Sequence, residues 1–297
     1  MKLAEIAAGS TAVALDRIGL YPALVLEIQT RLAALGMLDP PADGRFGPVS
    51  RWALQTFLSR AVPDASDTVD QRGATAMLAS DAERHFPLVA GTDLAGRIIQ
   101  AMLKRGDWIQ RAPECINIVY VEAMSPDGTK NDNAPNAFND LRVAVEIAAG
   151  GVPKIAGAWE GTTEPGRYWT EHPMDPKGAA RIAFGQYKSW AVGMHHAGGP
   201  GAHEALVQVA PVTVYRDLNK DYQRRGDAPN KGLFGINQHW GYDLPKNDLG
   251  RSSAGCLVGR SKVGHIAFMA LLRNDPRYRA SHSYNFMSSI FTADEIP

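Results

Sequence analysis

Near Ile116 the spacing of apolar residues changes, and that change constrains the fold of this 297-residue chain more than any other feature. Upstream, Leu24, Ile28, Leu32 and Leu35 recur at helical intervals and stop at Gly36, the pattern of an amphipathic helix closed by glycine. Asp43-Gly44 makes a turn, Phe46-Gly47 follows, and Pro48 opens a second helical pattern carrying Trp52, Phe57 and Leu58. A third runs through Leu94, Ile98 and Met102. Downstream, Leu141, Val143, Val145 and Ile147 alternate with Arg142, Ala144 and Glu146, the period of a half-buried strand. Further strands are expected at 116–122, 152–159, 205–209 and 212–215, with a helix near 262–273. The expected fold class is α+β, a small N-terminal helical bundle (1–62) and a helical connector (63–112) followed by a mostly β region (113–297).

Charge excludes some partners. The 31 basic and 31 acidic residues cancel, so nothing in the balance points to nucleic acid or an anionic membrane surface. Early apolar stretches are interrupted by Glu5 and Asp16, and no long apolar run follows, so neither a secretory core nor a membrane span is expected. The expectation is synthesis in the cytoplasm, with release to the bacterial cell wall or periplasm by other machinery. The two cysteines, Cys115 and Cys256, are too few for a disulfide scaffold or a thiolate zinc site. Cys115, at the head of a strand, is expected to be a buried small hydrophobe.

Cys256 differs because it ends the run Ser253-Ala254-Gly255-Cys256, downstream of His239. A cysteine at a small, glycine-bearing turn with a histidine to take its proton has the makings of a thiolate nucleophile, which points to acyl transfer. In that scheme Cys256 attacks, His239 is the base, Gly255 lets the substrate approach the backbone, and turn N–H groups receive the oxyanion. Ser253 is expected to orient the histidine or the substrate, Arg260 to hold a substrate carboxylate, and Asn237 to bind substrate. Trp240 and Tyr242 are expected either to line a sugar or peptide groove or to pack on the sheet. His195, His196 and His203 lie in a glycine-rich loop, but no H-E-x-x-H pattern accompanies them, so neither a metal nor another cofactor is expected.

Two resemblances sharpen this reading. Over about residues 20–60, Leu26, Gln29, Leu32, Leu35-Gly36, Asp43-Gly44-Arg45-Phe46-Gly47, Ala53-Leu54 and Phe57 resemble the peptidoglycan-binding repeat, which implies a three-helix bundle and a peptidoglycan partner. Gln29, Asp43, Gly44, Phe46 and Gly47 carry that likeness, most of it architectural, while Leu58 stands where glutamine is expected. Over about 116–273 the chain resembles the L,D-transpeptidase (YkuD-type) catalytic domain through Thr162 to Tyr168, Gly235-Ile236 with His239, and Leu249-Gly250 through Cys256. There the histidine stands three residues after Ile236 instead of directly after it, and Val258 replaces the expected arginine, with Arg260 two places further on. The resemblance implies a thioester formed on a peptidoglycan stem peptide. Three outcomes are weighed: a cysteine hydrolase of endolysin or effector type, an L,D-transpeptidase forming cross-links, and a non-catalytic wall-binding protein.

Overall fold

The computed structural model describes residues 1–9 and 11–297, and its architecture is α+β, with helices leading and a mostly β region following. Helix α1 (Leu3–Ala7) precedes the short strand β1 (Val13–Ala14), then come α2 (Pro22–Ala34), α3 (Pro48–Ala61), β2 (Thr68–Val69) and α4 (Gln71–Leu78). Pro22 and Pro48 sit in the first turn, where a missing N–H costs nothing and the fixed φ favours the helix. Gly36 closes α2 at φ +70°, with its N–H on Ala33 O and the Met37 N–H on Leu32 O. A side chain there would also collide, because a Cβ would lie 2.7 Å from Ile109 O.

One core joins these elements: Leu24, Ile28 and Leu32 of α2 pack with Leu54, Phe57 and Leu58 of α3, together with Leu3, Ile6, Met77 and Phe86. Leu58 is buried there, so the residue that departs from the expected glutamine serves the core. The bundle thus draws on α1 and α4 as well as α2 and α3, where three helices were expected. Cys115 packs into the same core, fully buried, with burial and the nearby Asp275 carboxylate pushing its thiol well up. The segment 63–112 is divided between two cores. Met77 and Phe86 join the helical one, whereas α5 (Leu94–Arg105) lies against the sheet through Ile98, Ile99 and Met102.

The strands that follow are β3 (Ile116–Glu122), β4 (Asp140–Ile147) and β5 (Pro153–Thr162), then β6 (Ala179–Ile182), β7 (Gly185–His195) and β8 (His203–Gln208) after helix α6 (Arg167–Glu171). Next come β9 (Val212–Asp217), β10 (Ala228–Gly232), β11 (Gln238–Trp240) and β12 (Leu257–Gly259), then helices α7 (Lys262–Asn274) and α8 (Pro276–Ala280), and last β13 (Asn285–Thr292). A closed barrel runs β11-β12-β5-β4-β3-β13-β7-β8, and a separate sheet runs β10-β9-β6. The pairs β3/β13 and β11/β12 are parallel.

Closure of the barrel corrects one expectation. Leu141, Val143, Val145 and Ile147 pack toward α5, but Arg142 and Ala144 on the opposite face are equally buried, because that face is the barrel interior. Arg142 reaches His265 of α7, with Nη1 3.2 Å from Nδ1, and lies over the Phe268 ring. A buried ion cluster joins the two regions: Arg277 of α8 pairs with Asp275 and Asp39, and Asp39 also accepts from Tyr284 and pairs with Lys188.

Candidate active site

The β11/β12 pairing builds the site. Its parallel register places Gln238 opposite Leu257 and His239 opposite Val258, and the Leu257 N–H donates to Asn237 O, which sets Cys256 beside the residue leading into β11. The turn before Cys256 presses onto β6, where a Cβ on Gly255 would fall 2.4 Å from Ala180 O and φ is +126°, so glycine is required twice over. Ser253 pins this turn from beneath. Its fully buried Oγ lies 2.7 Å from Glu164 O and 2.9 Å from Cys256 O, and accepts from the Gly255 N–H. The expectation that Ser253 orients the histidine or the substrate is therefore corrected: it shapes the loop bearing Cys256.

Cys256 and His239 open onto one cavity of about 590 Å³. The thiol is half-buried, accepts the Asn237 N–H at 3.4 Å and donates to Gly235 O at 3.5 Å. Burial pushes its pKa up to about 11, opposed by the Asn237 N–H. The Cys256 and Ala254 N–H groups have no hydrogen-bond partner among the described residues, which leaves backbone donors at the turn. His239 is 1% exposed and held by Nδ1, 2.7 Å from Trp240 O. A carbonyl only accepts, so the proton sits on Nδ1 and the lone pair on Nε2, an atom buried without a partner. Burial, and then the neighbouring His195, hold this imidazole well below its ordinary pKa.

His195, the last residue of β7, stacks on His239 with ring centroids 3.9 Å apart and planes 11° from parallel. Asn237 fixes its tautomer: Asn237 Oδ1 accepts the Gln208 N–H, so Nδ2 donates to His195 Nδ1 and the His195 proton sits on Nε2. Burial lowers its pKa to about 4. Asn237 lines the cavity as expected of a binding residue, but both ends of its amide are engaged in positioning.

The remaining expectations divide. Arg260 stands outside the cavity, with Nε on Glu160 and Nη1 near Leu244 O, so its assignment to a substrate carboxylate is corrected. Trp240 stacks on His203 at 3.7 Å and does not line the cavity, and Tyr242 packs edge-on to both. Among the described residues the three groups that gather as one ligand set are Asp217, Asp221 and Asp227, and Asp217 is already paired with Arg181. Of the three histidines, His203 bonds Gly201 O through Nδ1, His195 bonds Asn237, and His196 lines the cavity. In the helical module Gln29 is fully used. Its Oε1 accepts the Asp43 and Gly44 N–H groups, and its Nε2 faces Asp43 Oδ1, Arg45 O and Ser50 Oγ. Phe46 packs on the helical core and Gly47 caps α3, so this set is architecture.

Sequence reasoning missed His265, Arg142 and the cavity walls formed by Trp169, Met174, Arg216, Phe234 and Arg251. The hairpin carried a usable signal: His195 and His203 flank a Gly/Pro-rich turn and pair directly across the two strands.

Comparison with known proteins supports the first region. Residues 22–60 match the family model of the peptidoglycan binding domain, so a peptidoglycan-binding module lies near the N-terminus. No curated protein matches the chain. One solved structure, a Fused Zn-dependent amidase/peptidase/peptidoglycan-binding domain-containing protein from Clostridium acetobutylicum, is 12% identical and covers 95% of this chain and 99% of its own. Its TM-score is 0.29, too low to establish a shared fold.

Proposed function

We propose that this protein is a cysteine-dependent hydrolase of peptidoglycan stem peptides, brought to its substrate by the N-terminal module. The observation that carries the reading is that Cys256 and His239 line one cavity while His239 Nε2 is a buried atom without a hydrogen-bond partner. Burial raises the Cys256 pKa and lowers that of His239, so both groups rest neutral, a thiol and an imidazole instead of a thiolate and an imidazolium.

Reaction begins when the thiol turns from Gly235 O and passes its proton to His239 Nε2 as sulfur bonds to the peptide carbonyl carbon. The Cys256 N–H, and that of Ala254, receive the oxyanion. The Trp240 carbonyl, which accepts the Nδ1–H, favours the imidazolium formed at this moment. Collapse breaks the C–N bond, the leaving amine takes the proton from His239, and a thioester remains. Water then attacks with His239 again as base, releasing a carboxylic acid and the free thiol.

Digestion of purified peptidoglycan with wild type and with Cys256→Ala, followed by mass spectrometry of the products, tests this. Soluble stem fragments from wild type alone are expected. New cross-links without fragments would make the acceptor an amine, and equal fragmentation by the variant would remove Cys256 from the chemistry.

A further inference from the structure

Three formally charged side chains line the cavity: Asp175, Arg216 and Arg251. Two of them cancel. Arg216 is 8% exposed and already occupied, with Nη2 on Asp175 at 3.1 Å and on Asn230, and Nη1 near Gly178 O. Arg251 has no carboxylate partner among the described residues, so the cavity keeps one uncompensated positive charge in a chain whose net charge is zero. That charge is held in place. The guanidinium lies 3.9 Å from the centre of the Tyr168 ring, Tyr168 is itself bracketed by Trp169 and His172, and Trp169 Nε1 donates to Arg251 O. A guanidinium stacked on an aromatic face keeps its planar edge of donors free, and its entropy is already reduced before a ligand arrives. The uncompensated guanidinium that faces the cavity is thus not that of Arg260 but that of Arg251, on the segment that leads into the turn before Cys256.

We propose that Arg251 is a specificity residue that reads a free carboxylate on the peptide, so that the cleft accepts stem peptides with that group ionised and discriminates against the same peptides amidated. This rests on the stem-peptide reading above. A planar carboxylate can take two parallel N–H bonds from the guanidinium, whereas an amide presents one acceptor and an NH₂ that meets donor with donor.

The test uses the full chain and pairs of synthetic stem peptides, identical except that each carboxylate in turn is free or amidated. For one position the wild-type kcat/KM is expected to favour the free acid by about tenfold or more, carried mainly in KM. Arg251→Gln is expected to bring that ratio to about one, with Arg251→Lys between, since an ammonium keeps charge but loses the fork. Titration calorimetry of the same peptides onto Cys256→Ala reads the preference without turnover. A preserved binding preference in the absence of any turnover by wild type would sink the hydrolase reading and keep the subsite. Equal affinity for every pair, no binding of any peptide, or an undiminished ratio in folded Arg251→Gln would overturn the subsite.

Discussion

The helical module and the barrel cavity treat buried polar atoms in opposite ways. Gln29, 2% exposed, has both ends of its amide engaged, and it ties the 43–50 loop to α2. His239, 1% exposed, has one nitrogen tied to Trp240 O and the other buried with no partner. A buried polar atom left unpaired costs about 1–3 kcal/mol, so a fold keeps one where it gains something else. Other buried polar atoms also lack a partner, Arg142 Nε and His203 Nε2 among them, and in the proposed mechanism the open valence of His239 is the one that receives a proton.

The contrast is most easily broken at Cys256, the proposed nucleophile. Cys256→Ala should lower release of stem fragments by about a thousandfold or more while leaving the melting temperature near wild type, because the half-buried sulfur makes two weak hydrogen bonds and packs only at the edge of the small cluster of Phe138, Leu249 and Val258. His239→Ala should cost about 10²- to 10⁴-fold in turnover, the usual worth of a positioned base. The pH profile sharpens the same point. His239 must be neutral to act, and burial holds its pKa well below the ordinary value, so activity should persist as pH falls through about 6.5 and decline only at lower pH. An acid limb at 6.5 or above, measured as kcat/KM against pH, would place the base elsewhere.

Gln29→Ala is the reciprocal test on the satisfied side. It should destabilise the protein by about 2–3 kcal/mol, read as a fall in melting temperature, since it strands the N–H groups of Asp43 and Gly44. Turnover of a soluble stem peptide should be unchanged at temperatures where the variant is folded. The smallest effect is expected for Arg260→Gln, which removes a partly exposed pairing with Glu160 worth about 1 kcal/mol or less and should change kcat/KM by less than about twofold.

Much of the fold was legible because local rules and tertiary packing agree. The expected strands at 116–122 and 212–215 lie within β3 and β9, and the helix near 262–273 is α7. Strands β7 and β13 were not legible. In β7, Lys188 and Gly193 interrupt the apolar residues, and in β13 the buried pair Ser288-Ser289 occupies the centre, so neither shows clean alternation. A closed barrel flanked by helices buries both strand faces, and the two-period signal that assumes one wet face then fades. At the site, the turn and the residue types drew attention to Cys256, His239 and Gly255, which the fold places on one cavity, whereas Arg260 lies outside it because nearness along the chain does not say which carboxylate a side chain will meet.

The sequence by itself determined that helices give way to strands near Ile116, where Gly36 and Pro48 punctuate the module, and that a cysteine at a glycine turn stands downstream of a histidine. Tertiary structure alone decided that His195 would stack on His239, that Asn237 would set its tautomer, and that Arg251 and not Arg260 would face the cavity. Local propensities act over a few residues, while these contacts join β7 to β11 and α6 to the turn before β12. Which groups meet across such distances is fixed by strand register and barrel closure.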